Sequence, residues 1–353
     1  MSFFESPAYE GHEALHAFHD AKSGLRCLIA IHSTARGPAT GGARLWTYAN
    51  EQAAIDDALK LSRAMSYKNA VCDLELGGGK AVIMGQADKP KTPALFEAFG
   101  AAVESLGGNY WGAEDVGVTP DDLAHAARRT RYMAGLVGTP AASGDPSPVT
   151  AEGVRRGIEL TVQKTLNRSL SGVTVAIQGL GHVGERLADL LAAAGAKLYV
   201  TDLDEKIARA VATRTGAKAV PPHAIFDTDA QVFAPCALGG AISRETLPRI
   251  KARIIAGAAN NQLADAETGR AIFDRGTVYA PDFVLNGGGI INIAAEIRAI
   301  AGGGAYDQAW VAQKLDRMTA TLGEVLDRSI RERRPTDVIA NEIARERIAA
   351  ARG

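Results

Sequence analysis

Cysteine is scarce in this sequence, net charge is almost nil and long apolar runs are missing. Each shortage closes off a class of protein. Three cysteines, Cys27, Cys72 and Cys236, stand in 353 residues with no CxxC spacing. An odd, sparse set with no signal-peptide pattern argues against a disulfide framework and points to a reducing, cytoplasmic setting. The formal charge is -1, from 39 basic and 40 acidic residues, so no global basic field favours nucleic acid as a partner. No apolar run reaches the ~20 residues of a membrane span, so no membrane partner is expected. Low-complexity segments and fixed-period repeats are also missing. The remainder, 46% hydrophobic and 22% charged, is ordinary for a globular chain, and the length suits two domains. Glycine is plentiful, 38 residues and much of it clustered, so close backbone approach matters at several places.

The densest cluster lies in Ser66–Lys80, SYKNAVCDLELGGGK, where Lys68 and Lys80 stand twelve residues apart. Lys80 follows Gly77-Gly78-Gly79 and precedes the apolar run Ala81-Val82-Ile83-Met84. An apolar flank implies burial, and desolvation disfavours the ammonium form. A second cation nearby, such as Lys68, would lower the pKa of Lys80 further. A lysine so placed can act as a general base near neutral pH. The alternative is a tight turn with a snorkelling lysine.

Upstream, His12-Glu13-Ala14-Leu15-His16 matches the HExxH zinc pattern, which requires a helix and a third ligand. Gly11 and Ser23-Gly24 flank it closely, and the segment reads better as two strands joined by a turn over Asp20–Gly24. No metal site is expected. Glu51 to Met65 carries Ile55, Ala58, Leu59, Ser62 and Met65 at helical spacing. If that helix continues, Met65 and Lys68 share a face, and Met65 either walls a pocket or packs in the core. A strand follows at Val82–Met84, a helix over Thr92–Leu106, and then Tyr110-Trp111-Gly112-Ala113-Glu114-Asp115. A strand ending in adjacent carboxylates either presents an acid at a site or supplies a turn cap through Asp115.

Ser143-Gly144-Asp145-Pro146-Ser147-Pro148 reads as the linker between domains. After it, Thr150 is expected to cap a helix reaching about Leu166. The strand Val173–Gln178 then runs into Gly179-Leu180-Gly181-His182-Val183-Gly184, a helix follows, and the strand Lys197–Thr201 ends at Asp202. This is the dinucleotide fingerprint in its required order of strand, turn, helix, strand and acid. The glycines let a pyrophosphate reach the helix N-terminus. Asp202 would accept from ribose hydroxyls and repel a 2′-phosphate, so NAD is expected over NADP. Further strands at Gln231–Ala234, Arg253–Ala256 and Thr277–Ala280 each end in a small-residue loop, as in a parallel sheet. Asn286-Gly287-Gly288-Gly289 precedes an apolar helix, and two more helices, about 305–331 and 336–350, close the chain.

Seven motifs in order now give a resemblance that covers nearly the whole chain. They are Gly37-Pro38-Ala39-Thr40-Gly41-Gly42, Arg63–Asn69, Leu76–Lys80, Ala113–Gly117, the glycine fingerprint, Ala234–Gly240 and Tyr279–Asp282. The sequence resembles the glutamate/leucine/phenylalanine/valine dehydrogenases, and within them the leucine dehydrogenase branch. The resemblance implies an α/β protein of two domains separated by a cleft. Residues 1–135 with 335–353 would form a substrate-binding and oligomerisation domain. Residues 145–330 would form a Rossmann-type, doubly wound NAD-binding domain. It implies oxidative deamination of an L-amino acid to a 2-oxo acid, ammonia and NADH, by a homo-oligomer, dimer or octamer.

The same resemblance assigns roles. Lys68 looks like the substrate carboxylate anchor, Lys80 like the lysine that activates water, and Asp115 like the group that moves the amine proton. Gly41 and Gly42 should lie against the substrate. Met65, Thr40, Ala113, Ile290 and Ile293 would line its side-chain pocket, and Asn261 resembles an asparagine near substrate and nicotinamide. Thr150, Leu203, Cys236, Ala237, Ala258 and Asn260 join the fingerprint residues and Asp202 around the cofactor. Thr40 carries no charge where the glutamate branch has a lysine, and it departs from the aliphatic residue of the leucine branch. The expected substrates are branched aliphatic amino acids, with phenylalanine or another aromatic as the alternative, and a non-catalytic NAD-sensing protein as the alternative of another class. Asp145 stands where the resemblance leads one to expect asparagine.

Overall fold

The computed structural model describes residues 3–85 and 90–352. The described chain divides into two compact units. The first comprises residues 1–144, 290–312 and 344–353, and the second 145–289 and 313–343. This differs from the expected partition: residues 290–312 belong with the first unit, and 335–343 belong with the second. Each unit is an α/β structure built on its own sheet.

In the first unit the chain runs β1 (Ala14–Asp20), β2 (Leu25–Ser33), β3 (Ala39–Trp46), α1 (Glu51–Val71), β4 (Gly77–Met84), α2 (Pro93–Glu104), β5 (Tyr110–Glu114) and α3 (Pro120–Ala126). The sheet order is β1-β2-β4-β3-β5. β1 and β2 pair antiparallel, and the turn between them is closed by Asp20, which accepts from Gly24 N and, through its side chain, from Ser23 N. The HExxH segment is therefore a strand start, not a helix. Both ring nitrogens of His12 are engaged locally: Nε2 lies 2.9 Å from Leu59 O, and Nδ1 accepts from Glu10 N.

Alternation along the strands sorts the two faces of this sheet. Cys27, Ile29, Ala43, Ala81 and Ile83 pack with Phe96 and Phe99 of α2 and Leu123 of α3. Leu28, Ala30 and Val82 pack with Ala54, Ala58 and Leu59 of α1. Lys80 pairs with Ala30 and Arg44 with Val82, so both belong to the α1 face. Asn50 caps α1, its side chain accepting from Ala53 N, and the helix runs past Met65 to Val71, which carries Lys68 on it. Gly77-Gly78-Gly79 is no turn. It is the first part of β4, and glycine is required there because α1 and the neighbouring strands press on the backbone. A Cβ on Gly78 would overlap Ser66 N of α1, and one on Gly41 would overlap Gly79 O.

The second unit begins with α4 (Ser147–Leu166), then alternates β6 (Thr174–Gln178), α5 (His182–Ala193), β7 (Lys197–Thr201), α6 (Glu205–Thr215), β8 (Lys218–Ala219), β9 (Val232–Pro235), β10 (Ile254–Ile255), α7 (Ala266–Asp274) and β11 (Val278–Tyr279). The helices α8 (Asp282–Leu285), α9 (Gly288–Gly302), α10 (Gln308–Glu332) and α11 (Thr336–Ala350) follow, and the division between units passes through the last three. The sheet order is β11-β10-β9-β6-β7-β8, all parallel. Counting from β6, this is the 3-2-1-4-5-6 order of a Rossmann fold, with its switch point between β6 and β9. Thr150 is not the cap of α4. The helix starts at Ser147 with proline in its first turn, and Thr150 donates its hydroxyl to Pro146 O at 3.0 Å. Asp145 does the work at this end, accepting from Ser147 N at 2.9 Å and from Arg186 at 3.1 Å. Among the described residues no helix is long and apolar enough to cross a membrane.

Candidate functional site

Lys80 and Asp115 meet in the first unit. β4 carries Lys80 inward from the α1 face, and Asp115 follows the last residue of β5. Lys80 Nζ lies 2.6 Å from Asp115 Oδ2, and the lysine is 5% exposed. Gly42 makes the approach possible, since a Cβ there would stand 2.8 Å from Asp115 Cβ. Burial lowers the pKa of Lys80 and outweighs the opposing charge of Asp115. Burial also works to raise Asp115, but Lys80 and Arg44 together hold its carboxyl below the ordinary range. The arrangement is a buried amine with a lowered proton affinity, in hydrogen-bond contact with a carboxylate that stays ionised. Such a pair can pass protons in both directions.

Arg44 escaped the sequence reading. Its Nε donates to the same Asp115 Oδ2 at 3.0 Å, and its Nη1 donates to Asp57 Oδ2 of α1 at 3.0 Å. Tyr48 donates to that Asp57 oxygen at 2.5 Å. Sequence spacing suggests Lys68 as a cation beside Lys80; Arg44, from β3, is a cation that lowers Lys80 in the structure. The available signal was alternation: Arg44 stands two residues beyond Gly42 on a strand beside β4. The outer end of this cluster opens on a cavity of ≈ 560 Å³ that Trp46, Tyr48, Asp57 and Lys60 help to line.

The other residues expected at a substrate site fall around this pair in part. Gly41 and Gly42 lie on β3, and Gly42 pairs with Ala113 of β5. Met65 Cγ would be 3.3 Å from a Cβ on Gly41, which puts this side chain over the glycine pair. Thr40 is buried and turns its hydroxyl to Pro38 O at 3.4 Å. Half-buried Lys68 follows Met65 by three residues on α1. Ile290 and Ile293 lie in α9, within the first unit, and Ile293 approaches Gly135. Buried Glu296, one turn further along α9, accepts from Gly135 N at 2.6 Å and Ser143 N at 2.8 Å. Asn261, by contrast, belongs to the second unit.

In the second unit the fingerprint residues gather at the switch point. Gly179 has φ 94°, and its missing Cβ leaves room for Ala237, whose atoms would stand 2.7–2.8 Å away. Gly184 is packed under Gly179 O and Cys236. Asp202 Oδ2 accepts from Leu180 N at 2.7 Å, and Oδ1 accepts from Asp204 N at 3.0 Å. Gly181 caps α5 with no side-chain hydrogen bond, and nothing lies within 4 Å of where its Cβ would be. Gly181 and His182 at this helix start are exposed, which leaves the N-terminus of α5 accessible to an anion such as a pyrophosphate. Leu203 is 90% exposed beside Asp202. Ala258 and Asn260 lie after β10, where Asn286 Nδ2 donates to Ala258 O and to Asn260 Oδ1. Asn261 takes φ 51°, and Gly288 packs against Thr150. These residues fit a dinucleotide.

Comparison with known proteins agrees with both halves. Residues 12–132 match the Glu/Leu/Phe/Val dehydrogenase dimerisation domain, and residues 197–353 match the glutamate/leucine/phenylalanine/valine dehydrogenase domain. The leucine dehydrogenase of Bacillus subtilis is 42% identical over 353 residues, covering 100% of this chain and 95% of that one. The phenylalanine dehydrogenase of Lysinibacillus sphaericus is 42% identical over 292 residues, covering 81% of this chain and 77% of that one. The crystal structure of L-tryptophan dehydrogenase from Nostoc punctiforme superposes with a TM-score of 0.87 at 37% identity, covering 97% of each chain.

Proposed function

The chain belongs to the Glu/Leu/Phe/Val dehydrogenase family and is an amino acid dehydrogenase; on that premise we propose that it carries out the reversible, NAD-dependent oxidative deamination of a leucine-like, branched-chain L-amino acid. The observation that carries this reading is the buried Lys80 held 2.6 Å from Asp115. Lys68 binds the substrate α-carboxylate as a compact cation. The Gly41–Gly42 backbone lies along the substrate. Asp115 takes a proton from the substrate ammonium, which frees the nitrogen lone pair to form the imine as Cα is oxidised. Bound at the Gly179–Gly184 turn, a nicotinamide dinucleotide supplies an acceptor for hydride. Lys80, whose proton affinity burial lowers, takes a proton from the water that attacks the imine carbon. Asp115 then returns its proton to the nitrogen, and as the C–N bond breaks and ammonia leaves, Asp115 takes the hydroxyl proton, which completes the 2-oxo acid; the protons held by Lys80 and Asp115 pass to solvent and ammonia.

Uncharged, buried Thr40 offers no cation to a side-chain carboxylate, which supports an aliphatic over an acidic substrate. Met65 and Ala113 add apolar wall. The 42% identity to a phenylalanine dehydrogenase supports an aromatic substrate as the second reading. Asp202, a carboxylate at the ribose position, supports NAD over NADP. The dimerisation-domain match supports a homo-oligomer, dimer or octamer.

The test is NADH formation at alkaline pH with L-Leu, L-Val, L-Ile, L-Phe, L-Trp and L-Glu, with NADP as the cofactor control. The highest kcat/KM is expected on the branched aliphatic acids with NAD. A preference for Phe or Trp would keep the chemistry and overturn the pocket argument. No turnover on any of the six would overturn the reading.

A further inference from the structure

We propose that Arg44 is a positioning residue for this reaction: braced by Asp57 and Tyr48, it holds the Asp115 carboxylate in place and keeps a permanent positive charge on the oxygen that Lys80 bonds. The inference rests on the reading of Lys80 and Asp115 as the proton-transfer pair.

The geometry is a row of alternating charge. Lys80 Nζ and Arg44 Nε converge on one oxygen, Asp115 Oδ2, at 2.6 and 3.0 Å. Arg44 Nη1 and the Tyr48 hydroxyl converge on one oxygen of Asp57, at 3.0 and 2.5 Å. Two carboxylates grip different edges of one planar guanidinium, so its plane is fixed, and with it the position of Asp115. A lysine at 44, a point charge, could not grip both in this way. The two ends also differ in environment. The Lys80 side chain is 6% exposed, whereas those of Asp57 and Arg44 are 27% and 24% exposed.

The chemistry explains the need. A buried Lys80–Asp115 pair standing alone would titrate as a coupled unit, because neutralising Lys80 removes the only cation that keeps Asp115 charged. Arg44 does not deprotonate. It therefore keeps Asp115 ionised while Lys80 gives up its proton, and its charge helps Lys80 to do so. Direction supports this: Lys80 is lowered by burial first, raised by Asp115, lowered by Arg44 and raised by the more distant Asp57. The charged and titratable groups around this cluster are Asp115 beyond β5, Arg44 from β3, Tyr48 after it and Asp57 of α1, with Asp56 and Lys60 of α1 lining the adjoining cavity; Tyr110 of β5 packs in the core on the other face of the sheet. The Tyr110 hydroxyl donates to Gly41 O at 2.6 Å, and burial keeps it neutral. Arg44 alone changes in the variants below.

The experiment compares wild type with Arg44→Gln and Arg44→Lys. Lys80 is titrated directly, by competitive acetylation with acetic anhydride across pH and mass spectrometry of its peptide. Steady-state kinetics are measured on the preferred amino acid. Arg44→Gln is expected to move the Lys80 titration up by about one pH unit. It should lower kcat about 10–100-fold while KM for the amino acid stays within about threefold. Arg44→Lys is expected to restore the titration but not kcat, because the charge returns without the fork. An unmoved Lys80 titration in Arg44→Gln overturns the proposal, whatever happens to kcat. If Arg44→Gln does not fold, Arg44→Lys decides: wild-type kcat in that variant overturns the proposal. A wild type that turns over none of the amino acids would defeat the functional reading, while the acetylation arm would still report whether Arg44 controls Lys80.

Discussion

Burial and charge act on Lys80 in opposite directions, and burial wins. At Asp115 the same contest goes to charge, because two cations meet one carboxylate oxygen. Asp202 is a third residue with two tasks. It ties down the glycine turn through Leu180 N, and in the proposed NAD complex it would present negative charge where a 2′-phosphate would lie. Asp202→Ala is expected to weaken NAD binding about tenfold, as loss of a charged hydrogen bond implies, and to relax discrimination against NADP. The ratio of kcat/KM for NAD and NADP checks this, and an unaltered ratio would mean that the ribose is held elsewhere. Asp202 was legible because its motif is local: strand, turn, helix and strand lie within thirty residues. Arg44 was not, because its partners stand 13 and 71 residues away, and no periodicity links them.

Two elements, α1 and β4, carry Met65, Lys68 and Lys80, and their contact is close. α1 lies directly on β4, with the backbone at Ser66 against Gly78. Gly78→Ala would push the helix off the strand, at a cost of about 2–3 kcal/mol. Urea denaturation is the check. Gly304→Ala, where nothing lies within 4 Å of the added methyl, serves as the control that should stay near wild type. A wild-type midpoint for Gly78→Ala would contradict the close packing. The sequence admitted a turn at Gly77–Gly79 because what demands glycine there is a helix and neighbouring strands that local spacing does not reveal.

The same interface predicts a dependence on acid. His32 of β2 is buried, its Nδ1 is 2.7 Å from Ser66 Oγ, and its ring meets that of His12. Burial first, then the charges of His12 and Arg352, lower its pKa to about 4, while Glu13 opposes them. An unfolded chain binds this proton near 6.5. Between the two values the unfolded state holds more protons, so stability rises with pH and is lost as pH falls from about 6.5 to 4. The loss is at most about 3 kcal/mol. Urea midpoints at pH 7 and pH 4.5 should fall less in His32→Gln than in wild type; an equal fall would remove His32 as the cause.

At the scale of the whole molecule, the proposed roles divide between the two units. The first unit carries Lys80, Asp115, Arg44 and Lys68, and the second carries the glycine turn and Asp202. The alternating strands and helices of the second unit were legible because a parallel sheet repeats a local pattern. The assignment of residues 290–312 to the first unit was not, because it depends on contacts such as Glu296 with Gly135, far apart in sequence. The most direct test of the account separates the two units' tasks in one variant. In Lys80→Ala, Asp115 keeps Arg44 as its partner, so no buried charge is left alone. The account predicts that turnover falls by about 10²–10⁴-fold, while NADH, followed by its fluorescence, binds within about twofold of wild type. Turnover near the wild-type level in Lys80→Ala would contradict it.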